Sequence, residues 1–451
     1  MAPTNSLVFT VRRREPELIA PAKATYREYK PLSDIDDQGS LRFQVPGILF
    51  FPCTPSIEGK DPVKVIREAL AKALVFYYPF AGRLREGPDR KLIVDCTGEG
   101  IMFIEADADV TLDQFGDALY PPFPCFEELL YDVPGSSGVL NCPLLLIQVT
   151  RLKCGGFIFA LRFNHTMSDA YGLVQFLTAV NEITHGESVP SVMPIWERHL
   201  FNARYPPSVT CTHHEYEGVA NTEGTIIPLD DIVQRSFFFG PSEISTIRSF
   251  LPHSLRQSST FEVLTAFLWR CRTIALDVDP NKEMRAISIV NARSRFNPPI
   301  PMGFYGNGIA ASTALTTARK LCQNPLAYAL ELVKQAKADI TEEYMKSVAD
   351  LMVIRGRPLV ISDGAFLVSD VTRAGLIDLD FGWGRAAYAG VAAIGGKLMP
   401  WVMSFFVRFE NKKGEDGIVV PICLPTLAMD KLVKQLDNML KEQPIRTNSR
   451  L

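Results

Sequence analysis

The sequence predicts an α/β protein whose chain is organised in two halves, each with both strands and helices, joined by a long linker. Runs of β-branched and aromatic residues alternate with segments of helical apolar periodicity along both halves. Between them, residues 187–225 are polar, contain several prolines and show little periodicity, which is typical of a crossover segment. The chain has 451 residues, more than the ~250–300 residues that a single hydrophobic core usually organises.

The first predicted elements are two strands and a helix. Residues 8–16 and 41–52 are predicted as strands. The segment DPVKVIREALAKALVFYYPF places apolar residues on one helical face, with Asp61 as N-cap, Pro62 at the first helical position and Pro79 ending the helix. The next segment, RKLIVDCTGEGIMFIEA, has two β-rich runs around a glycine-containing turn, a pattern that predicts a hairpin.

A second predicted hairpin precedes the most informative stretch of the chain. Apolar runs at residues 144–152 and 157–164 flank the turn sequence KCGG, and the second run is apolar on both faces, as in a buried central strand. A helix should follow, because apolar residues recur with helical spacing up to Gly186, a residue typical of the position just past a helix. His165 therefore leaves the end of a buried strand, and Asp169 lies near the start of the next helix.

The second half is predicted to contain further strands and helices of the same kinds. The strands lie within residues 235–240, 399–411 and 417–425, and the helices within 258–276, 324–352 and 428–443. Neither an internal repeat nor a low-complexity tract is visible.

Composition and charge argue against nucleic acid and membranes as partners. The net charge is -3 and no Lys/Arg-rich stripe stands out. No apolar run reaches the ~18 residues that span a bilayer, and we expect no signal peptide. Nine scattered cysteines without a CxxC pair indicate reduced thiols. The reduced thiols indicate a cytoplasmic protein. We also expect a monomer.

One cluster imitates a metal site. The sequence CTHHEYE brings together Cys211, His213, His214 and Glu215 in a polar stretch. It lacks a second ligand pair at finger-like spacing, so we expect a solvated loop and no metal. The alternative, a metal hydrolase, predicts an activity that chelators abolish.

The sequence FNHTMSDAYG contains a candidate base. A neutral imidazole can take a proton from a hydroxyl near pH 7, since the reference pKa of histidine is ~6.5. Asp169, four residues after His165, could orient the ring or shape the turn. The structural alternative is a strand end, a polar turn and a helix capped by Asp169 or Ser168. The His-x-x-x-Asp pattern alone does not decide between them.

A second motif, DFGWG, lies in the second half of the chain. Gly382 and Gly384 flank Trp383, and glycine there permits backbone angles or close approaches that other residues resist. The motif is also consistent with a plain turn that carries one buried tryptophan. The two motifs together are more informative than either alone.

Together the two motifs resemble the two signatures of the plant acyl-CoA-dependent acyltransferases known as the BAHD family. Further blocks resemble the family in the same order along the chain: YYPFAGRLR, PIWERHLFNARYPP, STFEVLTAFLWRCR, NARSRFNPPIPMGFYGN and GIVVPICLP. Within the family, the segments ELIAPAKATYREYKPLSDIDDQGSLRFQVP and LREGPDRKLIVDCTGEGIMF are similar to alcohol acyltransferases and benzyl alcohol O-benzoyltransferases.

The resemblance implies a fold of two similarly built mixed-sheet domains, like chloramphenicol acetyltransferase. They would comprise residues 1–186 and 226–451, with the crossover at 187–225. A channel between the domains would bring CoA from one side and the acceptor from the other to the histidine.

The resemblance also implies roles for the motif residues. His165 would be the general base, and Asp169 would pair with Arg293 and shape the histidine loop. In the second motif, Asp380 would hold its loop together with Gly382 and Gly384. Trp383 would either pack or donate its indole N–H to the oxyanion.

Substrate contacts are implied less directly. Ser259 and Thr260 match positions that contact CoA in relatives, with helix capping as the alternative. Tyr171 and Tyr305 are expected in the acceptor pocket, although packing is also a plausible role for Tyr305 and for Asn307. Before DFGWG, the pair Ser369-Asp370 replaces a Ser/Thr-Trp pair that many relatives carry, which is a departure from the family pattern on the donor side.

The implied activity is an acyl-CoA:alcohol O-acyltransferase. A benzoyl or short aliphatic group would pass from acyl-CoA, the co-substrate, to a small alcohol such as benzyl alcohol. No cofactor would be bound permanently. The resemblance implies a direct reaction in a ternary complex without an acyl-enzyme, and no GxSxG motif argues otherwise. The alternatives are a larger secondary alcohol, an amine acceptor, or a non-catalytic CoA-binding relative.

Overall fold

The structure is a computed structural model that describes residues 7–53, 59–116, 119–217, 231–394 and 402–441. Two large mixed sheets, a small third sheet and the helices packed on them make up this part of the chain. The end of the predicted linker, residues 218–225, lies outside the described residues.

The first sheet has seven strands and carries the histidine motif. Its strands are β1 (Val11–Arg13), β2 (Glu17–Ile19), β4 (Gln44–Phe51), β7 (Ile101–Ala108), β8 (Leu145–Leu152), β9 (Phe157–Asn164) and β14 (Tyr388–Val391). They lie in the order β1-β7-β8-β9-β4-β14, with β2 also paired to β7. Every residue of β9 is buried, which confirms the buried central strand.

The second sheet has six strands, and the third is a small appendage of the first half. The second comprises β10 (Ile232–Phe239), β11 (Glu283–Asn291), β12 (Ile309–Thr317), β13 (Ala365–Asp370), β15 (Met403–Glu410) and β16 (Asp416–Pro425) in the order β10-β16-β15-β13-β11-β12. The third comprises β3 (Tyr29–Pro31), β5 (Arg83–Glu86) and β6 (Leu92–Asp95).

The helices cover these sheets. They are α1 (Pro62–Phe76), α2 (Phe126–Leu129), α3 (Ala170–Thr184), α4 (Pro241–Ser249), α5 (Thr260–Leu276), α6 (Ala318–Gln323), α7 (Leu326–Ala338), α8 (Glu342–Ile354) and α9 (Thr426–Lys441). Helix α1 packs against α3, and α5 packs against α7 and α9. Within the described residues, no helix combines the length and the hydropathy that a membrane crossing requires.

Local signals placed several boundaries correctly. Asp61 caps α1, since its side chain accepts a hydrogen bond from the amide of Val63 at 3.2 Å. The hairpin of β8 and β9 is present. Helix α3 ends just before Gly186, whose φ of 99° is one that glycine adopts readily.

Two predicted elements were wrong. The strands predicted as a hairpin within RKLIVDCTGEGIMFIEA belong to different sheets, since β6 pairs with β3 and β5, and β7 pairs with β1, β2 and β8. The single helix predicted for residues 324–352 is two helices, because the side chain of Thr341 accepts the amide of Tyr344 and starts α8 anew.

One strand departs from the expected division at residue 226. Strand β14 comes from the second half of the chain but extends the first sheet, where it pairs antiparallel with β4. The two halves of the sequence therefore share a sheet, and residues 388–391 do not belong with the rest of 226–451.

Candidate active site

His165 lies directly after the central strand β9, in a loop held by backbone hydrogen bonds. Its amide donates to the carbonyl of Phe43 at 2.9 Å, and its own carbonyl accepts from Nδ2 of Asn307 at 2.8 Å. Both bonds reach outside the motif, one to the residue before β4 and one to the second half of the chain. The position of the histidine thus depends on distant parts of the sequence.

The imidazole of His165 stands among apolar groups at the wall of a large cavity. Its ring centroid is 5.5 Å from that of Phe43 and 5.8 Å from that of Phe163. Burial lowers its pKa below 6.5, although its own carbonyl, Asp169, Asn307 and Asp36 oppose the shift. The ring is therefore neutral at pH 7 and can accept a proton.

Asp169 faces away from the histidine ring and is fully engaged. It caps α3 by accepting the amide of Gly172 at 3.0 Å. Both its oxygens also bind the guanidinium of Arg293, at 2.7 and 2.9 Å, and one accepts the amide of Gly308 at 2.9 Å. Burial alone would raise the pKa of Asp169, but Arg293 and the two amides lower it overall. Asp169 is an ionised support for the loop.

Three buried polar residues, Asp36, Arg198 and Asn307, hold the histidine loop. Sequence reasoning placed Asn307 near the channel, with packing as the alternative, but did not assign Asp36 or Arg198 to the site. Oδ1 of Asp36 accepts the guanidinium of Arg198 at 2.7 Å and both the backbone and side-chain amides of Asn307 at 2.9 Å. Arg198 also donates to the carbonyl of Met167 at 2.8 Å. The three residues lie in LSDIDDQ, PIWERHL and GFYGN, and nothing in their local patterns shows that they meet.

The carboxylate of Asp36 also fixes the orientation of the Asn307 amide. A carboxylate only accepts hydrogen bonds, so the NH₂ group of Asn307 must face Asp36. Among the described residues, Oδ1 of Asn307 and Nδ1 of His165 are both buried without a well-aligned partner. Asn307 acts on the histidine as a hydrogen-bonding group that raises its pKa.

The packing of the first turn of α3 requires glycine at position 172. A Cβ added to Gly172 would lie 2.1 Å from the carbonyl oxygen of Tyr305 and 2.5 Å from Oγ of Ser168. The first turn of α3 therefore packs directly on the GFYGN segment, which also brings Asn307 to the loop.

The DFGWG motif lies at the opposite end of α3. Oδ1 of Asn181 accepts the amides of Asp380 and Phe381 at 3.1 and 2.7 Å. The Asp380 carboxylate accepts the amide of Gly382 at 2.8 Å and lies 3.1 Å from Nε2 of His185. Gly382 and Gly384 have φ of 90° and 84°. These contacts support a structural role for the motif.

The oxyanion contact considered for Trp383 was wrong. Its ring is buried and packs edge-on against Phe157 with a centroid distance of 5.4 Å. Phe157 begins β9 and His165 follows its end, so about 26 Å of extended strand separates them. Trp383 is not among the residues that line the cavity around His165. The packing alternative explains its position.

The two tyrosines expected in the acceptor pocket have different positions. Tyr171 lines the cavity, and the guanidinium carbon of Arg293 lies 5.8 Å from the centroid of its ring. Tyr305 does not line it and is 2% exposed. The centroid of its ring lies 5.2 Å from the ring centroid of Tyr77 and 5.2 Å from the guanidinium carbon of Arg198. Tyr305 is a core residue, so its placement in the acceptor pocket was wrong.

Ser259 and Thr260 lie at the start of α5, on the other side of the cavity. Ser259 caps the helix by accepting the amide of Glu262 at 3.2 Å, and Oγ1 of Thr260 accepts from Arg248 at 3.1 Å. Both residues also line the cavity, as does Lys337. Capping and ligand contact are therefore compatible here.

The cavity has a volume of about 950 Å³ and lies between the two large sheets. The first half contributes His165, Tyr171 and apolar residues of β4 and β9, and the second contributes residues of α5, β11, β13 and β15. Ser369 and Asp370, which depart from the family pattern, line it too. The site is thus built jointly by both halves.

The solvated loop expected for the CTHHEYE segment was wrong in part. His213 and Glu215 are each 1% exposed, while His214 is largely exposed. Nε2 of His213 lies 2.8 Å from Oγ of Ser347, and Glu215 accepts the hydroxyl of Tyr344 at 2.7 Å. These contacts fasten the linker to α8, and among the described residues no group of three potential metal ligands is found.

Comparison with known proteins agrees with this geometry. Residues 9–439 match the Transferase family. The chain is 68% identical over 446 residues to benzyl alcohol O-benzoyltransferase of Nicotiana tabacum, covering 99% of this chain and 97% of that protein. It is 56% identical over 449 residues to 13-hydroxylupanine O-tigloyltransferase of Lupinus albus, covering 98% and 97%.

The fold is also shared with a solved structure. The crystal structure of vinorine synthase superposes with a TM-score of 0.72 at 21% identity, covering 95% of this chain and 98% of that one. With the fold, the family match and full-length relatives in agreement, the chain belongs to the BAHD transferases and is an acyl-CoA-dependent acyltransferase.

Proposed function

We propose that this protein transfers a benzoyl or short aliphatic acyl group from CoA to a small primary alcohol such as benzyl alcohol, forming an ester. The observation that carries the proposal is a neutral imidazole, that of His165, at the wall of a cavity shared by both halves. The 68% identity to a benzyl alcohol O-benzoyltransferase supports the choice of substrates.

In the proposed reaction His165 acts as general base. It takes the proton from the alcohol while the alcohol oxygen attacks the thioester carbon, so a C–O bond forms and the carbonyl becomes an oxyanion. Collapse of this intermediate breaks the C–S bond and expels CoA as thiolate, which takes the proton back from the imidazolium. The products are an ester and free CoA, and no acyl-enzyme is needed.

The other site residues position this base. Asp169 and Arg293 hold the start of α3, and the side chain of Asn307 holds the carbonyl of His165. Since Asp169 already accepts four hydrogen bonds, it has no free oxygen with which to relay the proton of His165.

We assign the CoA entrance to the side of the cavity at Ser259 and Thr260. The two hydroxyls and the ammonium of Lys337 offer polar contacts that suit a phosphorylated cosubstrate. We assign the alcohol to the side at Tyr171, which also lines a smaller groove of about 260 Å³ beside Pro190 and Met302.

A second candidate is the same chemistry on a larger secondary alcohol. The 56% identity to an O-tigloyltransferase of 13-hydroxylupanine favours it, as does a cavity larger than benzyl alcohol requires. We further propose that the protein acts as a cytoplasmic monomer, because all nine cysteines are free thiols and one chain builds the whole cavity.

The test is a matrix of donors and alcohols. Purified protein is incubated without added metal with acetyl-CoA or benzoyl-CoA and a panel of alcohols that includes benzyl alcohol. Free thiol is measured with a chromogenic reagent, and esters are identified by mass. We expect thiol release that depends on both substrates, and size-exclusion chromatography with light scattering near 50.2 kDa. The absence of thiol release with every donor would refute the proposal.

A further inference from the structure

One part of the cavity wall is formed by apolar residues of four strands. We call it the apolar arm and define it by Val45, Gly47, Leu161, Val391, Met403 and Phe405, all of which line the cavity. It lies between β4, β9 and β14 of the first sheet and β15 of the second. Without charged or hydrogen-bonding side chains among these residues, the arm suits a hydrocarbon group.

Gly47 is the one residue of the apolar arm that has no side chain. It lies within β4, pairs with Leu161 of β9 on one side and with Val391 of β14 on the other, and follows Pro46. A Pro-Gly pair inside a central strand is unusual, and glycine in a strand often marks the close approach of a ligand. Gly47 is also more exposed than its buried neighbours Pro46 and Ile48, because its backbone faces the cavity.

The backbone at Gly47 does not itself demand glycine. Its φ lies outside the positive range, and an added Cβ would lie 3.4 Å from Cγ of Leu161 and 3.6 Å from the carbonyl oxygen of Gly390, which are ordinary contacts. By contrast, a Cβ on Gly390 would lie 2.6 Å from Cγ1 of Val407. The missing side chain at position 47 therefore leaves space in the arm without serving the fold.

The arm is long enough to distinguish short from long substituents. Leu161, the partner of Gly47, lies four residues before His165 on the same extended chain, which is about 13 Å along the strand. Residues 161, 163 and 165 alternate onto the same face of the sheet. A small acyl group whose carbonyl carbon lies at His165 stays near Phe163, whereas a longer one reaches Gly47.

The geometry of the reaction assigns the arm to the acyl group. Attack on the thioester places the sulfur, the alcohol oxygen and the acyl chain around one carbon in three different directions. The polar side at Ser259 and the side at Tyr171 account for two of them. The apolar arm is the third direction.

We propose that the apolar arm binds the hydrocarbon part of the acyl donor and that Gly47 determines how long this group can be. The inference rests on the proposed acyl transfer and adds a specificity-determining residue to it. A side chain at position 47 shortens the arm and leaves the space around His165 unchanged.

The experiment compares the wild-type protein with Gly47→Ala and Gly47→Val over acetyl-, butanoyl-, hexanoyl-, octanoyl- and cinnamoyl-CoA, with benzyl alcohol as acceptor. For Gly47→Val we expect kcat/KM to fall at least about 10-fold with octanoyl- and cinnamoyl-CoA but to stay within about 3-fold with acetyl-CoA. Gly47→Ala should give an intermediate effect. The KM for benzyl alcohol with acetyl-CoA should not change.

The matched control is Gly138→Val. Gly138 is exposed, has ordinary backbone space and does not line the cavity, so no donor dependence is expected, and melting curves report whether each variant is folded. Equal effects of Gly47→Val on all donors would contradict the inference alone. Losses that follow the length of the alcohol with acetyl-CoA would assign the arm to the acceptor and overturn it. A wild-type protein inactive with every donor would refute the proposed function as well.

Discussion

At the scale of single residues, the chemistry depends on keeping one imidazole uncharged. The apolar rings beside His165 disfavour the imidazolium, while the carboxylates of Asp36 and Asp169 moderate that effect without touching the ring. The balance lets the ring receive a proton during attack and return it soon afterwards. If the imidazolium were paired more strongly with a carboxylate, it would retain the proton and slow its return to the CoA thiolate.

Replacing His165 by Ala should lower kcat by about 10²–10⁴-fold, because the general base is lost. In the wild type, kcat/KM should fall on the acid side with a midpoint below 6.5, since burial lowers the pKa of the base. Thiol release measured from pH 5 to 8 tests both points. Near-normal activity of His165→Ala, or an acid midpoint above 6.5, would contradict the assignment.

Asp169→Asn should reduce both stability and rate. The substitution leaves the Arg293 guanidinium without its buried partner, a change that costs about 3–5 kcal/mol. It also removes a charge that raises the pKa of His165, so the acid midpoint of the residual activity should move to lower pH. Thermal melting and a pH–rate profile measure the two effects.

An unchanged melting temperature would contradict the structural role of Asp169. In the wild type, the lowered pKa of Asp169 means that its ion pair stabilises the fold at neutral pH. That contribution is lost only as the pH falls below 3.8 and through the folded-state pKa.

The sequence was sufficient to select His165 and to pair Asp169 with Arg293, because both lie in motifs with a recognisable spacing. It could not assign Asp36 or Arg198 to the site. The Asp36 carboxylate and the Arg198 guanidinium come together only in the folded chain. In the sequence, an aspartate among polar neighbours gives no sign that it is buried with 0% of its surface exposed. Tyr305 shows the converse, since a residue beside a motif can face the core.

At the scale of elements, α3 connects the two motifs. Asp169 caps its start and Asn181, near its end, holds the DFGWG loop. Its 15 residues span about 22 Å, so the second motif contacts this helix far from the histidine loop.

Trp383→Phe tests this separation. The smaller ring leaves space beside Phe157, so we expect a lower melting temperature, with kcat within about 3-fold of the wild type because no reacting atom is near. Denaturation curves and steady-state kinetics give the two values. A 100-fold loss of kcat in a folded variant would restore the oxyanion role.

Element boundaries were predictable where a local cap marks them, and pairing partners were not. Asp61 and Gly186 are visible in the sequence as helix ends. Nothing local shows that the strand before Thr97 joins one sheet and the strand after Gly100 another. The interruption at Thr341 was missed because apolar periodicity continues through α7 and α8.

At the scale of the whole molecule, Asp36 is the junction of three distant segments. It joins the segment before β4 to the linker through Arg198 and to the second half through Asn307. Both Asp36 and Arg198 are buried, so the pair is shielded from solvent and salt.

Asp36→Asn should therefore lower the free energy of unfolding by about 3–5 kcal/mol, because it leaves a buried guanidinium without its counter-charge. Chemical denaturation measures the loss. The control is Asp416→Asn at an exposed ion pair with Arg408, where less than about 1 kcal/mol is expected. Equal losses in the two variants would contradict the role of Asp36 as a buried junction.

Because strand β14 comes from the second half of the chain, the first sheet can be completed only late in synthesis. A ribosome that has released residue 217 has already made the histidine loop, yet β4 still lacks its neighbour β14, and the loop lacks Arg293 and Asn307. At this stage the edge of β4 is unpaired, and the loop that carries His165 lacks its contacts with the second half of the chain. The complete site therefore forms late in translation, and a chain truncated before residue 388 leaves the edge of β4 without its neighbour.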